Sequence, residues 1–205
     1  RIVFATVITS IIWLMRGGKL FTTKETAWRR LGIIGIISTA LPFQLISWGQ
    51  QYVTSSFAGL AMASMPLFVL PLAYFFNTNE VLDRNKFIGL IIGFLGIVIL
   101  FSPDFTLGDN TSFQITLGKL ACILAAFCYA SNSILMRKLP SIDPVGLAAM
   151  SLLIGSVWVV LWAMAIEGTP PSVSTETLLI LILLGLLPTA MANFIRVVII
   201  REAGP

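Results

Sequence analysis

The chain is poor in charge. Asp, Glu, Lys and Arg together make up 11% of its 205 residues, less than half the share of an ordinary soluble domain. A soluble fold of this composition would have too little polar surface to cover itself. Histidine is absent, which excludes imidazole general bases, histidine-containing triads and HExxH zinc sites. Cysteine is scarce: Cys122 and Cys128 lie in one apolar run. Six positions apart on a helix, they point about 240° from one another, so no disulfide between them is expected. Without histidine they make no metal site, and no cofactor is expected.

What is abundant is apolar. Residues of the apolar types fill 57% of the chain, and the mean hydropathy is +0.95. Runs bounded by charge, Pro, Gly or Asn predict seven membrane spans, at 2–15, 31–51, 54–77, 86–103, 114–136, 144–166 and 177–200. Backbone polar groups in lipid need partners within their own segment, so runs of this length must be helices. They lack the alternation of barrel strands. The chain opens on Arg1 and enters an apolar run at once. No small-residue cleavage site follows that run, so 2–15 reads as the tail of a spanning helix cut short rather than as a signal peptide.

The connections alternate in charge. One set is basic: Arg16, Lys19, Lys24, Arg29 and Arg30, then Arg84 and Lys86, then Arg137 and Lys138, then Arg196 and Arg201. The other set, around 53–55, 103–113 and 167–176, has no Lys or Arg; only Arg1 and Lys119 fall on that side. Retained positive charge marks the cytoplasmic face. The first span is therefore expected to run outside to inside and the seventh to end inside, in a cytoplasmic (inner) membrane. The net charge of +4 is a topology signal, and no nucleic-acid partner is expected.

An internal repeat is also visible. Leu31-Gly32-Ile33-Ile34-Gly35-Ile36-Ile37-Ser38-Thr39-Ala40-Leu41 aligns with Leu181-Ile182-Leu183-Leu184-Gly185-Leu186-Leu187-Pro188-Thr189-Ala190-Met191, 150 positions later. The second and seventh spans enter the membrane from opposite sides. That is the pattern of an inverted-topology repeat, common in secondary transporters.

Further residues resemble the drug/metabolite transporter superfamily, in its EamA-like branch. They are Ala58-Gly59-Leu60-Ala61-Met62-Ala63-Ser64-Met65-Pro66-Leu67-Phe68, then Glu80, then Gly89, Gly93 and Gly96 leading into Ile97-Val98-Ile99-Leu100. Gly118-Lys119-Leu120 through Ala125-Ala126-Phe127-Cys128-Tyr129-Ala130 to Arg137 resembles the opening helix of that family's second repeat. The family often has Glu-Arg where this chain has Glu80-Val81, with Arg84 later. The resemblance implies an all-α polytopic fold of about ten helices in two inverted five-helix repeats. Residues 1–103 would be the first repeat without its first helix, and 114–205 the second without its last two. It further implies export or exchange of small metabolites.

Polar side chains inside spans are the candidates for a transport path. Gln44, Ser47, Trp48 and Gln51 share one face of the second span, flanked by Pro42 and Gly49, which could loosen the backbone there. Tyr129, Asn132 and Ser133 share a face of the fifth. Thr189 and Asn193 lie four apart on the seventh, beside Pro188. The expected substrate-binding set is Gln44, Trp48, Tyr129, Asn132 and Asn193. Pro42, Pro66 and Pro188 are the expected kink or gating positions. For each, interhelical hydrogen bonding, an interfacial anchor or a simple kink is the plainer alternative.

The substrates expected are small polar or amphipathic metabolites, with amino acids or related compounds first, moved by alternating access. A nucleotide-sugar or sugar-phosphate carrier is the runner-up. It would need inward-facing cations, for which only Lys119 and Arg196 are near. A non-transporting scaffold is a third reading. An enzyme is not expected, because no nucleophile–base pair or metal set exists. No carboxylate lies deep in a span, which favours facilitated diffusion or exchange over proton coupling. The partners expected are the substrate and the lipid bilayer; the sequence leaves the oligomeric state open.

Overall fold

A computed structural model describes residues 2–21, 27–76, 83–106, 113–166, 168, 174–192, 195 and 199. For 100–106 and 186–188 it describes the backbone alone. Helices account for nearly all of it, and the described residues contain no strand beyond an isolated bridge between Phe21 and Ile142. The helices are α1 (Ile2–Met15), α2 (Trp28–Gly49), α3 (Ser55–Phe76), α4 (Arg84–Thr106), α5 (Phe113–Arg137), α6 (Pro144–Ile166) and α7 (Thr175–Met191). Four of them, α2, α3, α5 and α6, are each long and apolar enough to cross a membrane. Each expected span overlaps one of these helices, and the part of 177–200 beyond Met191 lies largely outside the described residues. The architecture is that of an all-α, multi-pass membrane protein.

Local chemistry explains where the helices begin and end. Thr54 and Ser174 each accept a hydrogen bond from the amide three residues on, as N-caps do. Asp143 caps α6 through Gly146 N at 2.8 Å, with Pro144 at the first helical position, where a missing N–H costs nothing. Helix α1 stops at Arg16-Gly17-Gly18. The two glycines adopt φ +97° and +63°, a region side chains disfavour, and their amides bond back to Leu14 and Trp13 carbonyls.

Three interruptions matter. Helix α3 breaks at Ser64, two residues before Pro66, whose ring cannot continue the hydrogen-bond ladder. There the Ser64 hydroxyl donates to the Ala61 carbonyl at 2.6 Å. Helix α2 carries a π-helical segment at Ile36–Ala40, closed by Leu41 N bonding to Ile36 O, just before Pro42. Helix α7 carries a second at Gly185–Met191, which contains Pro188.

The chain forms two compact units, residues 1–41 with 135–205, and 42–134; the divisions fall within α2 and α5. In the first unit α1 and α6 are antiparallel. The Thr6 hydroxyl donates to the Leu152 carbonyl at 3.1 Å, and Gly146 seats the Trp13 indole, whose Nε1 donates to Lys19 O. Helix α2 runs parallel to α6: Leu31 and Ile34 cluster with Leu147 and Ala148, Gly35 meets Ile154, and Gly155 meets Thr39. At the end of this unit two basic connections meet. Asp143 N bonds Leu20 O at 2.9 Å, and the Arg30 guanidinium donates to Lys138 O at 3.0 Å. Two of the four basic connections of the sequence thus come together within this unit.

In the second unit small residues allow close approach. A Cβ on Gly49 would lie 2.8 Å from the Gly118 carbonyl oxygen, and one on Gly118 would lie 3.0 Å from that of Gly49. Gly49 therefore serves tight helix packing rather than backbone loosening. Phe57, Ala58, Ala61 and Cys122 form this unit's apolar cluster, and Gly93 on α4 receives Leu67 of α3. Cys122 and Cys128 are both buried, free thiols.

Candidate functional site

The second unit carries most of the expected site residues. Gln44 and Trp48 lie on the last turns of α2, beyond the π segment; Tyr129 and Asn132 lie in the second half of α5. Asn132 is wholly buried, and Ser133 beside it is nearly so, donating back to the Tyr129 carbonyl at 3.1 Å. Gln44 and Tyr129 are half-buried. The Gln44 Nε2 and Asn132 Oδ1 atoms are both shielded from solvent. Burying a carboxamide costs several kcal/mol unless it is hydrogen-bonded, so such groups in apolar helices are held by neighbouring polar groups.

The stripe expected on α2 divides. Gln44 turns its amide inward, whereas Ser47, Trp48 and Gln51 are exposed. Trp48 packs on Tyr52, ring centroids 5.1 Å apart. Pro42 and Gly49, seven residues apart and so on one face, are the buried positions of this stretch. Pro42 follows the π segment directly. Pro66 is exposed just beyond the Ser64 break, and Pro188 falls inside the π segment of α7. Asn193 and Arg196 lie outside the described residues, as do Glu80 and Val81.

Other polar groups complete the picture. Ser64 is buried at the break in α3, and Thr39 and Thr189 are buried in the two π segments. Ser38 and Thr39 share a hydrogen bond at 3.0 Å. The sequence signals these positions only as hydroxyls next to proline, a pattern that apolar helices often contain. Lys119 is half-buried, its Nζ 5.7 Å from the centre of the Phe57 ring, a cation–π distance. Among the described residues no group of His, Cys, Asp and Glu could hold a metal ion.

Apolar helices with neutral hydrogen-bonding groups buried among them define a class, the polytopic membrane proteins. Comparison with known proteins narrows it. The profile of the EamA-like transporter family matches residues 1–102 and 116–203. The chain belongs to the EamA-like transporter family, within the drug/metabolite transporter superfamily. It is 24% identical over 127 residues to the uncharacterized transporter YoaV of Bacillus subtilis, covering 62% of this chain and 42% of that one. It is 26% identical over 137 residues to an uncharacterized transporter of Archaeoglobus fulgidus, covering 65% and 47%. A third similar protein is an uncharacterized transporter of Buchnera aphidicola subsp. Schlechtendalia chinensis, 36% identical over 98 residues, covering 48% and 31%. The chain spans about half the length or less of these curated relatives. No solved structure matches it.

Proposed function

We propose that the protein moves small polar or amphipathic metabolites, with amino acids or related compounds first, across the cytoplasmic membrane by alternating access. The observation that carries this reading is Asn132, a carboxamide buried completely in a membrane-spanning helix. With Gln44, Tyr129, Ser133 and Ser64 it supplies neutral donors and acceptors and no fixed charge. Such a lining suits a zwitterionic or uncharged solute. Residues 1–103 and 114–205 are read as parts of two inverted repeats, and Asn193 as the second repeat's contribution to the lining. Trp48 offers an apolar surface near the end of α2. With no carboxylate deep in a span, the reading favours facilitated diffusion or exchange over proton coupling, and it assigns no enzymatic step.

The test is counterflow in liposomes containing the complete protein, with a panel of radiolabelled amino acids, sugars and sugar phosphates. Accumulation of one or more neutral or zwitterionic compounds, abolished in Asn132→Leu, is expected. No flux for any compound would sink the reading and favour a scaffold. A second reading, a carrier of phosphorylated sugars, is favoured by one observation, the half-buried Lys119 on α5. It ranks lower because that ammonium already sits on the Phe57 ring. Selective accumulation of sugar phosphates, lost in Lys119→Gln, would promote it. Thiol labelling of cysteines placed at 44, 132 and 193 from either side of the membrane would locate the path.

A further inference from the structure

The two π segments occupy matching places in the repeat. Ile36–Ala40 in α2, moved on by 150 positions, falls at 186–190, inside the π segment Gly185–Met191 of α7. The structure extends the same offset to the helices that pack on them. Ala5-Thr6-Val7 of α1 corresponds to Gly155-Ser156-Val157 of α6, and the burial agrees residue by residue. The first two of each trio are buried, and Val7 and Val157 are 50% and 52% exposed. The partners correspond as well. Gly155 lies so close to Thr39 that an added Cβ would sit 2.6 Å from the Thr39 Cβ, and Ala5 clusters with Ala190 and Leu152. Each π segment therefore rests on the small residue of the other repeat's helix.

Proline accounts for the local bonding at both places. In an α-turn, residue i bonds the carbonyl of i−4. Pro42 cannot donate to Ser38 O, and Pro188 cannot donate to Leu184 O. At the second place the Thr189 hydroxyl donates to that same Leu184 carbonyl, at 2.9 Å. In an α-turn each proline ring also crowds the carbonyl four residues back, which the wider π turn relieves, so the usual advantage of the α form is reduced at both sites. A π turn holds one more residue than an α-turn. Its conversion to α rotates everything beyond it by about 100° and advances it by about 1.5 Å.

We propose that the two π segments are paired register switches: each converts between π and α bonding and so turns the chain beyond it, carrying Gln44 beyond the first. The small-residue contacts at Gly155 and Ala5 are the bearings on which the segments turn. This rests on the transport reading for its purpose, because the rotation would expose the carboxamide to one side of the membrane and then withdraw it. The existence of the switch does not depend on the solute.

Amide hydrogen exchange on the complete protein in phospholipid nanodiscs tests it with no substituted residue and no solute. Amides at 37–41, 187 and 189–192 are expected to exchange about tenfold faster than those of the neighbouring turns at 31–35 and 181–184, because interconversion breaks their hydrogen bonds. Deleting Ile37 removes the extra residue and fixes a regular helix with Gln44 in its present orientation. In that variant the fast exchange at 38–41 should vanish. If the protein proves to transport amino acids, binding should stay within about twofold while counterflow falls about tenfold or more. Uniform exchange along α2 and α7 in the unmodified protein would overturn the proposal, whether or not the deletion variant folds. Unchanged counterflow in a folded deletion variant would overturn it too. Absence of transport by the unmodified protein would count against the transport reading alone.

Discussion

The first unit buries the large aliphatic side chains Leu20, Leu31, Ile34, Met136, Leu139, Ile142 and Leu147, beside the hydroxyls of Thr6, Thr9, Ser38, Thr39, Ser151, Ser156 and Thr189. The buried stretch of the second is made of Ala58, Ala61, Ala121, Cys122, Ala125 and Ala126, together with the polar Ser64, Asn132 and Ser133. In lipid, apolar burial between helices gains little, because the alternative neighbour is also apolar; packing and hydrogen bonds decide. A region built from interlocking large side chains resists deformation. A region built from alanine around a buried carboxamide gives up packing surface and keeps a group with more donors and acceptors than a hydroxyl where lipid would penalise it. On the transport reading the difference sets helix contacts, the bearings of the π segments among them, apart from a solute-binding surface, and substitutions on each side can break that distinction.

The largest expected effect lies at a helix contact of the first unit. Gly155→Leu would drive a branched side chain into Thr39, whose Cβ lies 2.6 Å from where a Cβ would start. Overpacking of this kind costs about 3 kcal/mol, read as a lowered midpoint in thermal unfolding of the detergent-solubilised protein. A change under about 1 kcal/mol would show that α2 and α6 are free to part there. Gly49→Val is the matching experiment in the second unit. Its obstacle is the Gly118 carbonyl, a backbone atom that cannot rotate away. About 2 kcal/mol of destabilisation is expected, and a smaller loss than for Gly155→Leu would fit the softer surroundings.

Substitutions of the buried amide should reverse the pattern. Asn132→Leu keeps the branched outline with larger end groups and removes the polar group, so a loss of stability of about 1–2 kcal/mol is expected, below that of Gly155→Leu. Counterflow of the solutes carried by the unmodified protein should nevertheless fall about tenfold or more, a loss of about 1.4 kcal/mol in the transport barrier. Thr9→Val in the first unit is the control. Its hydroxyl only bonds back to the Ala5 and Thr6 carbonyls of its own helix, and transport should stay within about twofold. Equal losses in both variants would erase the division between helix contacts and solute-binding surface.

Much of this was legible in the sequence, for physical reasons. Charges cannot sit deep in lipid-facing helices, so they mark helix ends: 54–77 became Ser55–Phe76, 114–136 became Phe113–Arg137, and 144–166 became Pro144–Ile166. Buried polar residues stand out against an apolar background, so Gln44 and Asn132 were visible. The π segments were not, because a one-residue change in helical hydrogen bonding leaves no mark on hydrophobic periodicity. Gly49 read as a loosening residue because glycine serves flexibility and close approach equally; only the Gly118 carbonyl opposite decides between them. The break in α3 lies at Ser64 rather than at Pro66 because proline disturbs the turn that precedes it. Ala5-Thr6-Val7 and Gly155-Ser156-Val157 are too short and too apolar to declare a repeat until their burial is known.

The smallest expected effect probes that repeat directly. Thr6 and Ser156 lie 150 positions apart and hold the same place in the proposed repeats, yet their hydroxyls are used differently. The Thr6 hydroxyl reaches across to the Leu152 carbonyl as well as back to Ile2 O. The Ser156 hydroxyl bonds back to Leu153 O within its own helix, at 2.9 Å. An interhelical hydrogen bond in a membrane protein is worth roughly 0.6 kcal/mol, so Thr6→Val should lower stability by about that amount. Ser156→Ala removes a back-bond that contributes little to helix association, and should change stability by less than about 0.3 kcal/mol. The pair would then show that the repeat preserves shape, a small residue beside a hydroxyl, while the hydrogen bond itself belongs to one copy. Equal losses would mean that Ser156 also bonds across to a neighbouring helix in the assembled protein, and that the two copies are alike in chemistry as well as in packing.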